Sequence, residues 1–289
     1  MEEYFNSGTN DTWYDLHMDD SGNITVIGGY VWLRGLQLTT DKTFSNFKLD
    51  TISTKGLFDL ELLSNGDLLT VGTDGFLFQK PISEQSWTFH RLANWDILQR
   101  VHEGVDAIYT FGGKSNEHGY IYKLNRQFQV DSAMYFPFEI SDAIITDERI
   151  VAFGWGNIMT SDKNGLQWHL LKNEGDFYAS GVMLNNFDGL IIGYNGHILK
   201  TVDGGATWHT FKPKIAHAGY NAFRVIKSFD DGTLIICGND GKFWLSQDQG
   251  NSWTYYKLQN EFDIYGCIYL QKNEFALCGE KGTITRIKI

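Results

Sequence analysis

The chain has 289 residues, of which 42% are hydrophobic and 15% aromatic, enough apolar material for a sizeable core and without the marks of disorder. Its 35 acidic against 24 basic side chains leave a net charge of −11, which excludes an electrostatic grip on nucleic acid or on an anionic membrane. No apolar run approaches the 18 or so residues of a membrane span, and neither the eight histidines nor the three cysteines fall at metal-ligand spacing, so no metal and no cofactor is expected.

The chain opens on MEEYFNSGTNDTW, acidic and polar where a secretory signal is basic and then apolar. From there a short β-branched or aromatic run ending in glycine recurs, at Gly28, Gly72, Gly112, Gly154, Gly193, Gly238 and Gly279, every 42 residues or so. Each interval divides into four short runs bounded by turn residues, as in FRVIKS, LIICG, KFWLS and SWTYYKL between Phe223 and Leu258. Helical periodicity with caps is absent. The pattern predicts an all-β chain, one domain over 1–289, folded as a seven-bladed β-propeller of four-stranded antiparallel blades. The last unit stops after three runs, and EEYFNSGT at the start is the spare strand expected to complete it and close the ring.

An eight-residue pattern punctuates the later units. Thr201, Asp203, Gly205 and Trp208 in TVDGGATW recur as Ser246, Asp248, Gly250 and Trp253 in SQDQGNSW. A copy one residue longer, TSDKNGLQW, holds Thr160, Asp162, Gly165 and Trp168, while TTDKTFSNF and QKPISEQSW keep only traces in the first two units. Hydroxyl and carboxylate suit a tight loop by accepting backbone N–H groups, glycine supplies positive φ, and tryptophan buries its ring, so these residues are expected to be structural. Each loop joins the third and fourth strands of its unit, on the face opposite the one where propellers usually bind ligands.

These look like Asp-box repeats, and with them the chain resembles the photosystem II stability and assembly factor-like propellers, a widespread bacterial group. The resemblance implies a non-enzymatic binding or assembly scaffold that recognises a protein or glycan partner, acts as a monomer and, like many members, works outside the cytoplasm once a leader is removed. The acid excess departs from the arginine-rich surface of the photosynthetic members. Asp-boxes also occur in sialidases, but the only Phe-Arg pair here, Phe223-Arg224, is followed by Val225 and no proline.

Function is expected at the first strand of each unit, beside the central channel. One register position there reads Asp15, Asp59, Gln99, Asp142, Ser180, Arg224 and Tyr265, a polar ring suited to wetting the channel or to holding a polar ligand. If the chain is instead a glycoside hydrolase, Asp59 and Asp142 are its candidate carboxylates. Loops on the same face carry Tyr30, Trp32, Trp95, His118, Trp155, Tyr194, His197, His217 and Tyr220. The insertions Gly113 to Tyr120 and Lys212 to Asn221 interrupt the repeat there. Finally, a turn at Lys272 and Asn273 sets Cys267 opposite Cys278, either as buried thiols or as a disulfide.

Overall fold

A computed structural model describes residues 1–93, 95–114, 117–216 and 222–289, with the side chains of 172–174 excepted. Among these residues the chain is all β, its one helical turn a 3-10 turn at Glu280–Gly282, so no helix is long enough to cross a membrane.

The first strand, β1 (Glu2–Asn6), stands apart from those that follow it. A first sheet comprises β2 (Thr12–Met18), β3 (Asn23–Tyr30), β4 (Arg34–Asp41) and β5 (Lys48–Ser53). The second comprises β6 (Leu57–Leu62), β7 (Leu68–Gly72), β8 (Phe76–Lys80) and β9 (Thr88–Arg91). The third comprises β10 (Leu98–Glu103), β11 (Ile108–Lys114), β12 (His118–Leu124) and β13 (Val130–Phe136). The fourth runs through β14 (Ile140–Ile145), β15 (Arg149–Asp162), β16 (Trp168–Met183), β17 (Gly189–Gly193), β18 (Ile198–Thr201) and β19 (His209–Phe211). The fifth holds β20 (Lys214–Ile215), β21 (Phe223–Ser228), β22 (Leu234–Gly238), β23 (Lys242–Ser246) and β24 (Ser252–Lys257). The last is β25 (Ile264–Gln271), β26 (Glu274–Gly279) and β27 (Thr283–Lys288), with β1 added at its edge.

The expected count of seven four-stranded blades is therefore corrected. Five discrete blades of four or five strands share the ring with one continuous six-stranded sheet. The reason lies in β15 and β16, of 14 and 16 residues. Trp155-Gly156 is absorbed as a register shift in the β15–β16 ladder, and β16 pairs with β15 up to Phe177 and with β17 from Tyr178 onward, so one sheet runs through the point between units where the repeat predicts a break.

The innermost strands of successive sheets pack on one another and β25 returns to β2, which closes the ring. Closure is completed by β1, which pairs antiparallel with β27 from Glu2 opposite Ile287 to Asn6 opposite Thr283. Apolar layers fill the gaps between sheets, for instance Trp13, Leu38, Cys278 and Ile284 between the last sheet and the first. The layer between the first and second sheets has Ile27, Leu57, Leu60, Phe76 and Phe78 as its buried members.

All three cysteines are buried free thiols. The register differs from the expected one: Cys267 stands opposite Leu277, and Cys278 opposite Gly266. A bulge between Tyr269 and Gln271 shifts the hairpin by one residue and separates the pair.

Candidate functional site

The innermost strands share a device that decides what each side chain does. Every one is bulged at the same place: between Trp13 and Asp15, Leu57 and Asp59, Leu98 and Arg100, Ile140 and Asp142, Tyr178 and Ser180, Phe223 and Val225, and Ile264 and Gly266. A bulge leaves one residue unpaired and re-aims its side chain. The skipped residues are Tyr14, Phe58, Gln99, Ser141, Ala179, Arg224 and Tyr265, and all of them line a cavity of about 270 Å³ at the channel mouth.

The single polar ring expected from the sequence is thus two rings. Gln99, Arg224 and Tyr265 occupy the bulge position and face the mouth cavity, whereas Asp15, Asp59, Asp142 and Ser180 come one residue later and are buried. The offset has a physical cause: a bulge is set by the partner strand and leaves no mark in the glycine spacing. Arg100, Val225 and Gly266 are the true counterparts of the aspartates.

The aspartates knit neighbouring strands together. Asp15 Oδ2 accepts the Leu60 N–H at 3.2 Å, and Asp59 Oδ2 accepts that of Val101 at 2.8 Å. Asp142 Oδ1 accepts the N–H of Ala143 and lies 2.8 Å from His102 Nε2. Arg100 Nε stands between Asp59 and Asp142, 3.8 Å from one and 3.9 Å from the other, so the two carboxylates named as a hydrolase pair share one cation.

Charges in this channel wall shift one another strongly. Burial raises the Asp59 carboxyl to about 7, with Arg100 opposing the rise and Asp15 adding to it. Burial disfavours the His102 cation, yet the hydrogen bonds to Asp142 and Glu61 hold its pKa up at about 10. The same partnership keeps Asp142 below the usual carboxylate range in spite of its burial. Lys227 is raised by the Asp15 charge against its own desolvation. Arg100, His102, Glu61 and Lys227 escaped the sequence reading; all lie on inner strands, one or three residues beyond a bulge position, a signal legible only once the bulge is known.

Above this network the mouth is aromatic. Tyr14 packs edge-on against Phe58 and Tyr265, and the Arg224 guanidinium lies over Tyr265 at 4.6 Å and over Tyr194 at 5.3 Å. The same guanidinium donates to Tyr194 Oη at 3.0 Å, to Asp263 at 2.6 Å and to Asn239. Phe177 continues the chain from Tyr194 to Trp155.

Around the mouth, the loops opposite the Asp-box loops expose large side chains. Tyr30, Trp32, Trp95, His118, Trp155 and His197 are exposed, and Tyr194 is half-buried. His217 and Tyr220, and part of each insertion, lie outside the described residues. Trp95, 79% exposed, has φ of 69°, a left-handed backbone unusual for a bulky residue. Its N–H is held by Asp74 Oδ1 at 2.7 Å, and Arg91 grips the other carboxylate oxygen. His197 Nδ1 lies 2.9 Å from the buried Asp176.

On the other face, the loop from Thr201 to Trp208 is knotted by its own side chains. Asp203 accepts from the Thr207 N–H and hydroxyl, and Thr201 Oγ1 accepts the Gly205 N–H at 2.9 Å, with Gly205 at a φ of 85° that glycine adopts freely. Asp248 repeats these bonds with Ser252 and Ser246 Oγ accepts from Gly250, while Trp253 Nε1 donates to the Gly250 carbonyl. In the longer copy Asp162 accepts the Asn164 N–H, Thr160 pairs across the ladder with His169, and Trp168 Nε1 donates to Gly165. Trp208 is buried against Val151 and Leu199.

The strand order and the channel define the class: an all-β propeller whose sheets surround a polar channel with an aromatic mouth. The family described as photosynthesis system II assembly factor YCF48 matches the chain over residues 163–284. Among solved structures, YCF48 bound to D1 peptide is similar at a TM-score of 0.74 and 14% identity, covering 100% of this chain and 97% of that one. A catalytically inactive virginiamycin B lyase from Staphylococcus aureus with quinupristin is similar at 0.79 and 11%, covering 100% and 99%. The WD40 propeller domain of Doa1 is similar at 0.70 and 11%, covering 100% and 97%. At these identities the likeness is one of fold. No curated protein matches the chain.

Proposed function

We propose that this protein is a binding or assembly scaffold that recognises a protein partner through the face around the channel mouth. The observation that carries the reading is Trp95, presented outward on a left-handed backbone that Asp74 and Arg91 hold in place. Strained, exposed aromatic side chains persist where surrounding structure fixes them, and rigid aromatic anchors dominate protein interfaces. Tyr30, Trp32, Leu33 and Trp155 add exposed apolar surface on the same face.

The similarity of residues 163–284 to the YCF48 family and the fold shared with YCF48 bound to D1 peptide support a protein partner. Work outside the cytoplasm rests on the family resemblance alone. The Asp-box residues serve the scaffold, and the buried aspartates serve the channel wall; recognition belongs to the loops and to Gln99, Arg224 and Tyr265 at the cavity.

The test is affinity capture from envelope and secreted fractions of the source organism, comparing the native chain with a Trp32→Ala, Trp95→Ala double variant. A protein retained by the native chain and lost by the folded variant supports the reading. Equal capture by both overturns it.

A further inference from the structure

A cavity of about 940 Å³ lies on the opposite face, between the first and second sheets. It opens where the Asp-box has decayed. In the fifth sheet the box Trp253 packs into the apolar layer shared with the sheet before it, and Gly250 lies against Leu190 of that sheet. The second unit has Pro81 where a box has aspartate and Glu84 where it has glycine. Its loop folds back on its own sheet: the Ile82 N–H is held by Asp67 at 3.0 Å, and Ile82 covers Gly66, where an added Cβ would meet it at 2.6 Å. The slot toward the first sheet stays open.

Two buried polar atoms of residues in the cavity wall, His17 Nε2 and Thr40 Oγ1, have no hydrogen-bond partner among the described residues. Thr40 is more than nine-tenths buried, so its hydroxyl gains nothing from bulk water. The lining carries more acid than base: Asp19, Asp20, Asp41 and Glu84 stand against Lys80 and Lys48, the latter paired with Asp50 at 2.8 Å, and Asp20 and Glu84 are exposed.

The chain itself shows what such a slot accepts. In the fifth sheet the short strand β20 lies parallel to β24, with Lys214 opposite Ser252 and Ile215 opposite Trp253. Ile215 packs on the layer containing Leu190 and Trp253, the Lys214 N–H donates to the Asn251 carbonyl at 3.1 Å, and Trp244 Nε1 donates to the Ala216 carbonyl at 2.8 Å. Ser86-Trp87 precedes β9 as Ser252-Trp253 opens β24, and β9 is the free edge of its sheet among the described residues.

We infer that the slot between the first two sheets binds an extended peptide strand in trans, added parallel to β9 beside Ser86 and Trp87, with one aliphatic side chain in the cavity and basic side chains toward Asp20 and Glu84. Edge addition supplies main-chain bonds, and the cavity and rim supply selectivity. The site is separate from the mouth face.

The probe is a fluorescein-labelled heptapeptide containing the Lys-Pro-Lys-Ile-Ala sequence found at residues 212–216, titrated into the whole protein and read by anisotropy. Saturable binding is expected, weakened roughly tenfold or more by Glu84→Lys and by Ile82→Asp, and untouched by Trp95→Ala. Both substituted side chains are exposed, and unchanged circular dichroism establishes that the variants fold. Hydrogen exchange of the complex should slow at residues 85–88. No saturable binding, equal binding of a peptide with Ile replaced by Asp, insensitivity to both slot variants, or loss with Trp95→Ala overturns the inference.

Discussion

Asp59 accepts the backbone N–H of Val101 on the neighbouring inner strand at 2.8 Å, and its other oxygen lies 3.8 Å from Arg100 Nε. One carboxylate therefore joins two sheets at the channel wall and faces the cation that also serves Asp142. Because the group is buried and its carboxyl raised to about 7, that joint is sensitive to proton concentration.

Asp59 and His102 should give two separate pH windows. The native Asp59 carboxyl titrates near 7 and an unfolded one near about 3.9. Between these values the native state holds the extra proton, so this contribution to stability falls as pH rises from about 4 to 7. His102, near 10 when folded against about 6.5 unfolded, contributes stability that is full below about 6.5 and lost as pH rises through about 10. Urea midpoints measured against pH should show Asp59→Asn removing the first decline and His102→Gln the second, each of up to about 4 kcal/mol. Parallel profiles for the native chain and Asp59→Asn between pH 4 and 7 would exclude the assignment.

Trp95 should respond to glycine and alanine in opposite ways. A left-handed backbone costs an L-residue about 1 kcal/mol, which glycine relieves and alanine does not. With its side chain exposed, Trp95→Gly should raise the unfolding free energy by up to that amount, while Trp95→Ala leaves it level or slightly lower. Thermal melts of the two variants decide the matter.

Asp203 should matter to stability above its own titration and not below it. Burial works against its charge, but bonds from Thr207 and Thr201 hold its carboxyl down at about 2, under the unfolded value. Its contribution is present above about pH 4 and is lost as pH falls through about 2. Asp203→Ala should cost about 1 kcal/mol in urea at pH 7, and less as the acid limit is approached.

The thiols should be silent in the native state. Cys237, Cys267 and Cys278 are buried, and burial raises the Cys237 and Cys278 thiols well above their ordinary range. Ellman's reagent should find no fast-reacting group in the folded chain and three after denaturation. A native-state reaction, or only one thiol after unfolding, would contradict the arrangement.

The glycine markers and the Asp-box loops carried the all-β propeller reading because turn chemistry is local: Asp203 and Gly205 need only their own loop to act. Sheet number was less legible. Whether Trp155-Gly156 ends a strand or bulges within one depends on Phe177 across the ladder, a partner about twenty residues away. The same limit governed the channel. Asp15 and Asp59 were found as polar residues of the inner strands, but a bulge is set by the strand opposite, so the cavity-facing positions fell one residue earlier, at Tyr14 and Phe58. Six of the seven described loop aromatics and histidines are exposed, since the spaces between sheets are filled by strand residues such as Trp13, Tyr120 and Trp244.

The pairing of β1 with β27 sets the order of assembly. The Met1 amino group donates to the Lys288 carbonyl at 2.6 Å, so the seal joins partners 287 positions apart in the chain. Contacts of such sequence separation are slow to form, and until they do the outer side of β27 is an unpaired template open to other chains. Until β1 docks, the chain is exposed to misassembly along that edge, and protection of it by a chaperone would act on yield without altering the finished ring.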